Sequence, residues 1–318
     1  MHSTVKTELV TIKKKNKFSR SRLKREAPYH FIIWLGVAFV GIFAYVPMSG
    51  LIIAFKDFSF RKGILRSPWS GLSNFSGMFS DYYIKNAIFN TVGIFAISLV
   101  VGTVATLIFT LLLNEITSMR FKRTTQTISY LPHFISWAIM AVILDSMLSA
   151  SDGLINVLLH KLGLITSPIY FMTMPQYFWG MVVIANLWKE LGWSAIIYLA
   201  VISGIDETQY ESAKIDGAGR FARMWYITLP SLKGIIAILL ILNISSLTGT
   251  AFDQAFFLSN NLNFDRSNVL SYYVYTTGLV KMDFSYSTAI GLVLSCISAM
   301  LMLTANSIVK KLNGEALF

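Results

Sequence analysis

The sequence predicts an all-α polytopic membrane protein with six membrane-spanning helices and both termini in the cytoplasm. Three observations support this fold class. Apolar side chains make up 54% of the 318 residues, charged ones only 14%, and the mean hydropathy is +0.59, which is too apolar for an ordinary soluble domain. Six apolar runs approach the roughly 20 residues that a helix needs to cross a bilayer. Lysine and arginine are also divided unequally between the segments that join these runs.

The first 29 residues form a basic, polar arm. Residues 1–29 contain nine Lys or Arg residues and two Glu residues. Such a segment buries too little apolar surface to fold alone, so we expect a solvated cytoplasmic arm. In a soluble protein the net charge of +11 would suggest nucleic-acid binding. Because the arm directly precedes an apolar run, anionic lipid of the bilayer is its expected neighbour and no nucleic acid is expected. Contact with a partner protein is the alternative.

A transmembrane domain is predicted for residues 30–318. The first apolar run is longer than the core of a signal peptide and lacks a small-residue cleavage site, so it is expected to remain in the protein. Asp145 shortens the third run, and Lys189 with Glu190 divides the fourth into two apolar halves. An amphipathic surface helix is predicted over residues 153–164. The six predicted spans are residues 31–55, 87–113, 131–148, 177–202, 234–257 and 286–308.

The distribution of positive charge predicts which side of the membrane each connecting segment faces. Residues 1–29, 114–128 and 204–233 and the carboxyl-terminal tail together carry 18 Lys or Arg residues, and the opposite connecting segments carry 8. Since basic residues concentrate on the cytoplasmic side, the termini and residues 204–233 are predicted to lie inside. Residues 56–85 are an exception, because this predicted outer segment contains five basic residues.

Several kinds of active site are absent from the sequence. No G-x-x-x-x-G-K-[ST] phosphate-binding loop occurs, so the chain is not expected to hydrolyse ATP. No nucleophile, base and oxyanion donors stand together, so an enzyme is not predicted. His2, His30, His133 and His160 lie in different segments, and Cys296 is the single cysteine. Neither a metal site, a disulfide nor another cofactor is therefore predicted for this chain.

The most informative segment lies between the fourth and fifth predicted spans. It reads YESAKIDGAGRFARMWYITLP over residues 210–230. Acidic residues at the amino-terminal end favour a short helix over residues 207–215, which Gly217 would end. A second short helix is predicted over residues 220–226, and Pro230 marks the entry to the fifth span. The pattern predicts a helix-turn-helix at the membrane surface, and a simple connector between two spans is the alternative.

This segment resembles the EAA loop of bacterial ABC importer permeases. The family pattern is Glu-Ala-Ala, three residues, Gly, nine residues and Ile-x-Leu-Pro, and one position differs because Ser212 replaces the first alanine. In the family this helix sits in a groove of the ATP-binding subunit, and exporters lack the loop. The resemblance therefore implies the type I ABC importer permease fold, with ATP and Mg bound by a separate subunit. The ATPase-coupling residues that it implies are Glu211, Ser212, Ala213, Asp216, Gly217, Ile227, Leu229 and Pro230.

Further segments are similar to carbohydrate-uptake permeases of this family. They are YVPMSGLIIAFKDF, SPWSGLSNF, YLPHFISW, LWKELGW and FSYSTAIGL, and the resemblance extends from Tyr29 to the end. It is greatest to permeases for oligosaccharides or polysaccharide fragments, including the lipopolysaccharide-transport-like and alginate types. Residues 260–263 depart from the Gly-Pro turn that is frequent in the family. The resemblance implies a bacterial cytoplasmic membrane protein that assembles with a second homologous permease, two ATP-binding subunits and an external solute-binding protein.

Polar and aromatic residues within the spans are candidates for a sugar pathway. Carboxylates and amides can bind sugar hydroxyls, and aromatic rings can stack on sugar rings. Helix capping and interhelical hydrogen bonds are alternative roles for several of them. The candidates are Asp145, Trp188, Lys189, Glu190, Asn243, Thr248, Asp253 and Tyr273.

Lys189 suggests a preference for acidic sugars. Lys189 and Glu190 leave a helix about 100° apart, so they are not expected to neutralise each other simply. If Lys189 faces a water-filled cavity, it would favour an anionic substrate such as a uronate oligosaccharide. An ion-coupled secondary transporter of small polar solutes is an alternative function, and it would need no ATPase partner.

Overall fold

The computed structural model describes residues 20–313, and the regular elements in that range are helical apart from an isolated bridge between Lys56 and Trp69. The all-α fold class is therefore confirmed for the described residues. Most of the predicted basic arm, residues 1–19, lies outside them. Four helices are long and apolar enough to cross a membrane, and two bent helix pairs raise the number to as many as six.

The helices differ widely in length. The α-helices are Arg20–Val40, Val46–Met48, Gly63–Arg66, Ser73–Ser76, Tyr82–Asn114, Met119–Tyr130, Trp137–Leu148, Leu154–Lys161, Pro175–Ile202, Glu207–Ile215, Arg220–Arg223, Leu229–Ser231, Lys233–Ser245, Phe252–Leu258, Phe264–Ser267, Leu270–Tyr275 and Phe284–Asn313. The 3₁₀ helices are Ser49–Phe55, Leu131–Phe134 and Leu247–Gly249. The π-helical turns are Gly41–Tyr45, Met224–Thr228 and Thr276–Val280. The four uninterrupted candidate spans are Glu26–Phe55, Tyr82–Asn114, Pro175–Ile202 and Phe284–Lys311.

The chain divides into two units after Ile52. In the described part of the first unit, large apolar side chains such as Phe31, Trp34, Phe39 and Phe43 are exposed along the helix. A helix that is apolar on all sides is suited to contact with lipid or with other apolar helices. This unit therefore has the surface that a membrane-spanning segment requires.

The second unit is organised around the helices Tyr82–Asn114 and Pro175–Ile202, which pack against each other. Their contact is close at Gly93, where an added Cβ would lie 2.2 Å from the Trp179 ring. A buried apolar cluster includes Ile94 and Phe178 and joins them to the helix Phe252–Leu258. The long helix Phe284–Asn313 packs against Lys233–Ser245. Four helices, which are Tyr82–Asn114, Pro175–Ile202, Lys233–Ser245 and Phe252–Leu258, contribute to the wall of the cavity described below.

The predicted third span is a bent pair of helices. Met119–Phe134 and Trp137–Leu148 meet at an angle of 101°. Pro132 lies in the last turn of the first helix, and the Ser136 hydroxyl caps the second by accepting a hydrogen bond from the Ile139 amide over 3.4 Å. The break thus has local causes, and the run over residues 131–148 is not one helix.

The predicted fifth span is also divided. The helix Lys233–Ser245 ends where the Ser245 and Ser246 hydroxyls donate hydrogen bonds to carbonyls three residues earlier. Ala251 then adopts a left-handed conformation with φ 57°, and a separate helix begins at Phe252. The prediction of one apolar run over residues 234–257 therefore missed this interruption.

The fourth span and the amphipathic helix were each predicted as a single helix, and each is a single helix in the structure. The fourth span is uninterrupted from Pro175 to Ile202, although Lys189 and Glu190 lie in its middle. The predicted amphipathic helix is confirmed as Leu154–Lys161. In place of a Gly-Pro turn, the segment after Leu258 is held by asparagine, because the Asn263 amide donates hydrogen bonds of 2.9 Å to the carbonyls of Met172 and Leu258.

Candidate functional site

The first helix of the coupling segment, residues 204–233, has the bounds predicted from its sequence. It runs from Glu207 to Ile215, and the carboxylate of Asp206 caps it by accepting a 3.0 Å hydrogen bond from the Thr208 amide. This hydrogen bond holds the pKa of Asp206 below its ordinary value. Gly217 ends the helix with φ +80°, a conformation that glycine adopts without a steric penalty.

Asp206 was not among the site residues predicted from the sequence. The sequence does contain a pattern that indicates this cap, because Asp206 and Gln209 form the Asp-x-x-Gln pattern of a capping box. Asp206 therefore belongs with the residues that fix the position of Glu211 on this helix.

A direct hydrogen bond joins this helix to the second half of the coupling segment. The second helix was predicted over residues 220–226, but it continues from Arg220 through a π-helical turn to Ser231. The Tyr210 hydroxyl lies 2.9 Å from the Thr228 hydroxyl, and Thr228 is buried. Glu211 follows Tyr210 directly, so its position is tied to the helix that leads into Lys233–Ser245.

The coupling segment exposes both acidic and apolar side chains. Glu211, Ser212, Asp216 and Gly217 are exposed and Ala213 is half-buried. Ile227 and Leu229 are half-buried, and Pro230 is exposed. Four large side chains in the same segment are also exposed and were not predicted from the sequence, which are Ile215, Phe221, Trp225 and Tyr226. Clustered exposed apolar groups on a polar segment are typical of a protein–protein interface.

A central cavity of about 420 Å³ lies between the helices Tyr82–Asn114, Pro175–Ile202 and Lys233–Ser245. Its wall combines hydroxyl and amide groups with aromatic rings, which is the chemistry that sugar recognition uses. Of the sequence candidates, Glu190 and Asn243 line it. Among the other lining residues are Ser98, Asn186, Trp193, Ser194, Ser246 and Gln254.

The charges of Lys189 and Glu190 form an ion pair at the edge of this cavity. Lys189 is buried, and its Nζ lies 2.9 Å from Glu190 Oε1 and donates a 2.6 Å hydrogen bond to the His133 carbonyl. The expectation that the two side chains do not neutralise each other is wrong, because the flexible lysine stem spans the angle between them. Lys189 itself does not line the cavity.

His133 links the ion pair to the bent third span. Its Nδ1 lies 2.7 Å from Glu190 Oε2, and its ring stacks on Trp193 with the ring centroids 4.3 Å apart. The helices are close here, because a Cβ added at Gly192 would lie 2.1 Å from the Ser129 carbonyl oxygen. The carbonyl of His133 lies in the last turn of a helix, where a cation is electrostatically favourable.

The other sequence candidates do not line the cavity. Asp145 and Asp253 are exposed, Trp188 is 51% exposed, and Thr248 lies in the short turn Leu247–Gly249. Tyr273 is buried, and its hydroxyl donates a 2.8 Å hydrogen bond to the Asp81 carboxylate. These side chains therefore lie outside the cavity wall.

The Asp81 carboxylate is held by two tyrosines. In addition to Tyr273, Tyr286 donates a 3.1 Å hydrogen bond to it. Burial alone would raise the pKa of Asp81, but the hydrogen bonds from Tyr273, Tyr83 and Tyr286 outweigh burial and lower it. This cluster explains Tyr273 as a structural residue rather than as a stacking surface.

Sequence comparisons place these features among transport proteins. The family model described as the binding-protein-dependent transport system inner membrane component matches residues 98–314. Protein LplB of Bacillus subtilis is 38% identical over 93% of this chain and 92% of its own length. The polygalacturonan/rhamnogalacturonan transport system permease protein YteP of the same organism is 37% identical over 96% of this chain and 95% of its own length.

Solved structures of similar chains agree with the fold. A chain of a bacterial ABC transporter involved in import of the acidic polysaccharide alginate has a TM-score of 0.85 and 32% identity, covering 92% of this chain and 99% of that chain. A second similar chain belongs to a bacterial alginate ABC transporter in complex with an alginate pentasaccharide-bound periplasmic protein. It has a TM-score of 0.86 and 30% identity, and the match covers 95% of this chain and 100% of that chain.

Proposed function

The chain belongs to the family of binding-protein-dependent transport system inner membrane components, and we propose that its residues 204–233 couple transport to ATP hydrolysis on a separate subunit. It is a multi-pass membrane protein with the type I ABC importer permease fold, and it serves as the permease of a sugar or oligosaccharide importer. The ion-coupled alternative is therefore not retained. The capped helix Glu207–Ile215 carries the coupling proposal, because Glu211 and Ile215 are exposed on it and accessible to a partner.

The coupling proposal assigns separate roles to the two halves of the segment. Glu211, Ser212, Ala213, Asp216 and Gly217 form the docking helix and its end. Ile227, Leu229 and Pro230 belong to the second helix, which leads into Lys233–Ser245. The hydrogen bond between Tyr210 and Thr228 supports the transfer of rigid-body motion from one half to the other. ATP and Mg would be bound by the partner subunit.

The central cavity is the proposed sugar pathway. Glu190 and Asn243 remain pathway candidates because they line it, and Asn186 and Trp193 join them. Amide and carboxylate groups can exchange hydrogen bonds with sugar hydroxyls, and the Trp193 ring can stack on a sugar ring. We propose that the substrate is an acidic oligosaccharide or polysaccharide fragment. The names of a 37% identical relative and of the similar solved structures support this substrate class.

We propose that the chain forms half of a permease pair in the bacterial cytoplasmic membrane, with both termini inside. Its other partners would be two ATP-binding subunits and an external solute-binding protein. The basic segment 56–85 would face that protein. Lys56 stiffens it by donating hydrogen bonds of 2.7 and 3.1 Å to the Ile64 and Leu65 carbonyls. Four cations on this segment are exposed, which are Arg61, Lys62, Arg66 and Lys85.

Co-purification of the ATP-binding subunit tests the coupling proposal. Glu211→Lys should reduce the amount of ATP-binding subunit that is recovered with the chain by at least tenfold, because it reverses a charge in the docking helix. Asp265→Lys is the matched control, since Asp265 is an exposed acid outside the coupling segment. Equal recovery with both variants would contradict the proposed docking surface.

A further inference from the structure

We propose that Lys189 controls the charge selectivity of the cavity from behind its wall, by compensating the charge of Glu190. The inference rests on the proposed function, in which the sugar passes through this cavity. It gives Lys189 a positioning and electrostatic role instead of direct contact with the sugar. Selectivity between acidic and neutral sugars then depends on the pair and not on either residue alone.

Glu190 is the charged group of the cavity wall. Among the described residues that line the cavity, it provides the only carboxylate, and no Lys or Arg lines it. A carboxylate on such a wall repels an anionic sugar, and the repulsion is several times stronger than in bulk water because the surroundings are partly apolar. The wall therefore needs a compensating cation if acidic sugars are to pass.

Lys189 is placed to be that cation. It is 7% exposed and lies outside the cavity lining, while its Nζ lies 2.9 Å from Glu190 Oε1. The His133 carbonyl fixes the ammonium from a second direction at 2.6 Å. This arrangement leaves the ammonium little freedom to turn into the cavity. The pair thus presents a neutral wall to a passing sugar.

Removing one charge at a time should change selectivity in opposite directions. Lys189→Met keeps most of the unbranched side chain but removes the ammonium, so that the Glu190 carboxylate is left with the His133 ring as its remaining partner and acidic sugars should be disfavoured. Glu190→Gln keeps the shape of the wall but leaves the Lys189 ammonium uncompensated, so acidic sugars should be favoured. The double variant has no charge at either position and should again present a neutral wall.

Uptake by the complete importer in proteoliposomes tests this inference. The permease pair, the ATP-binding subunits and one binding protein are held constant, and the probes are a uronate oligosaccharide and its neutral methyl ester of the same length. The measured quantity is the ratio of acidic to neutral initial uptake rates, relative to the unsubstituted importer. The preference of the binding protein cancels in this relative ratio.

We expect the ratio to fall about tenfold for Lys189→Met, which corresponds to about 1.4 kcal/mol. It should rise at least threefold for Glu190→Gln and return to within about twofold for the double variant, whose partners are both neutral. Asn243→Ala, which changes an uncharged group of the wall, should slow both sugars alike.

An unchanged ratio in both single variants, or a double variant that keeps the ratio of one single variant, would overturn the inference. If Lys189→Met does not assemble, Glu190→Gln and the double variant still decide it, because only charge compensation predicts a raised ratio that the second substitution reverses. Failure of the unsubstituted importer to transport either sugar would instead contradict the proposed function.

Discussion

The hydroxyl of Tyr210 lies 2.9 Å from the hydroxyl of Thr228, so the two helices of the coupling segment are joined directly. Tyr210→Phe removes this hydrogen bond, which is worth about 1 kcal/mol in a typical protein. We expect assembly to persist while the number of sugars transported per ATP hydrolysed falls by about fivefold. A fivefold change corresponds to about 1 kcal/mol, the same free energy as the lost hydrogen bond. Tyr170→Phe is the control, because Tyr170 is 53% exposed and lies outside the coupling segment. An unchanged transport ratio in Tyr210→Phe would show that the bond does not transmit motion.

Asp206 should stabilise the start of the docking helix in a pH-dependent manner. Its pKa is lowered by the hydrogen bond from the Thr208 amide, so the stabilisation is present above the ordinary carboxyl pKa. It is lost as the pH falls through the lowered pKa. Hydrogen exchange of residues 207–215 should therefore be faster in Asp206→Asn than in the unsubstituted chain near neutral pH. The two should exchange alike once the carboxylate is protonated, and a difference that persists in acid would exclude the cap as its cause.

Gly217 should tolerate substitution less well than Gly219. Gly217 has φ +80°, where a side chain costs about 1 kcal/mol or more, so Gly217→Ala should loosen the end of the docking helix. We expect a several-fold loss of recovered ATP-binding subunit in co-purification. Gly219 has φ −66° and open space around it, so Gly219→Ala is the matched control. Equal losses in both variants would contradict the conformational explanation.

Gly192 should be required for packing of the fourth span against the third. An added Cβ would lie 2.1 Å from the Ser129 carbonyl oxygen, a backbone atom that cannot move aside easily. Gly192→Ala should therefore destabilise the chain by about 1–3 kcal/mol and lower its thermal unfolding temperature in detergent. Gly180 lies in the same helix with nothing within 4 Å, so Gly180→Ala should leave that temperature nearly unchanged. A lower unfolding temperature for Gly180→Ala than for Gly192→Ala would refute this packing.

Local patterns in the sequence were sufficient to predict the first helix of the coupling segment. The bounds of Glu207–Ile215 were predicted from acidic residues at the amino-terminal end of the helix and from Gly217, which lie within the helix or close to it. The continuation of the second helix to Ser231 was missed, because Pro230 was interpreted as a boundary. Proline is compatible with the first turn of a new helix, and it occupies that position in Leu229–Ser231.

The partners of the candidate side chains could not be predicted, because they come from distant parts of the chain. Lys189 is held by His133, which is 56 residues away, and Tyr273 is held by Asp81, which is 192 residues away. Helical geometry predicted that the side chains of Lys189 and Glu190 point apart. It describes the direction in which a side chain leaves the helix, and not how far a flexible side chain can reach. Hydropathy likewise identified residues 234–257 as one run, because it does not detect the left-handed conformation of Ala251.

ATP-driven sugar uptake tests the central claim most directly. The chain is reconstituted into proteoliposomes with its permease partner, the ATP-binding subunits and the loaded binding protein. We predict uptake that requires ATP on the side of the ATP-binding subunits, that is abolished by Glu211→Lys and that is retained by Asp265→Lys. Uptake that persists without ATP, or that Glu211→Lys leaves unchanged, would contradict a permease coupled to ATP hydrolysis through residues 204–233.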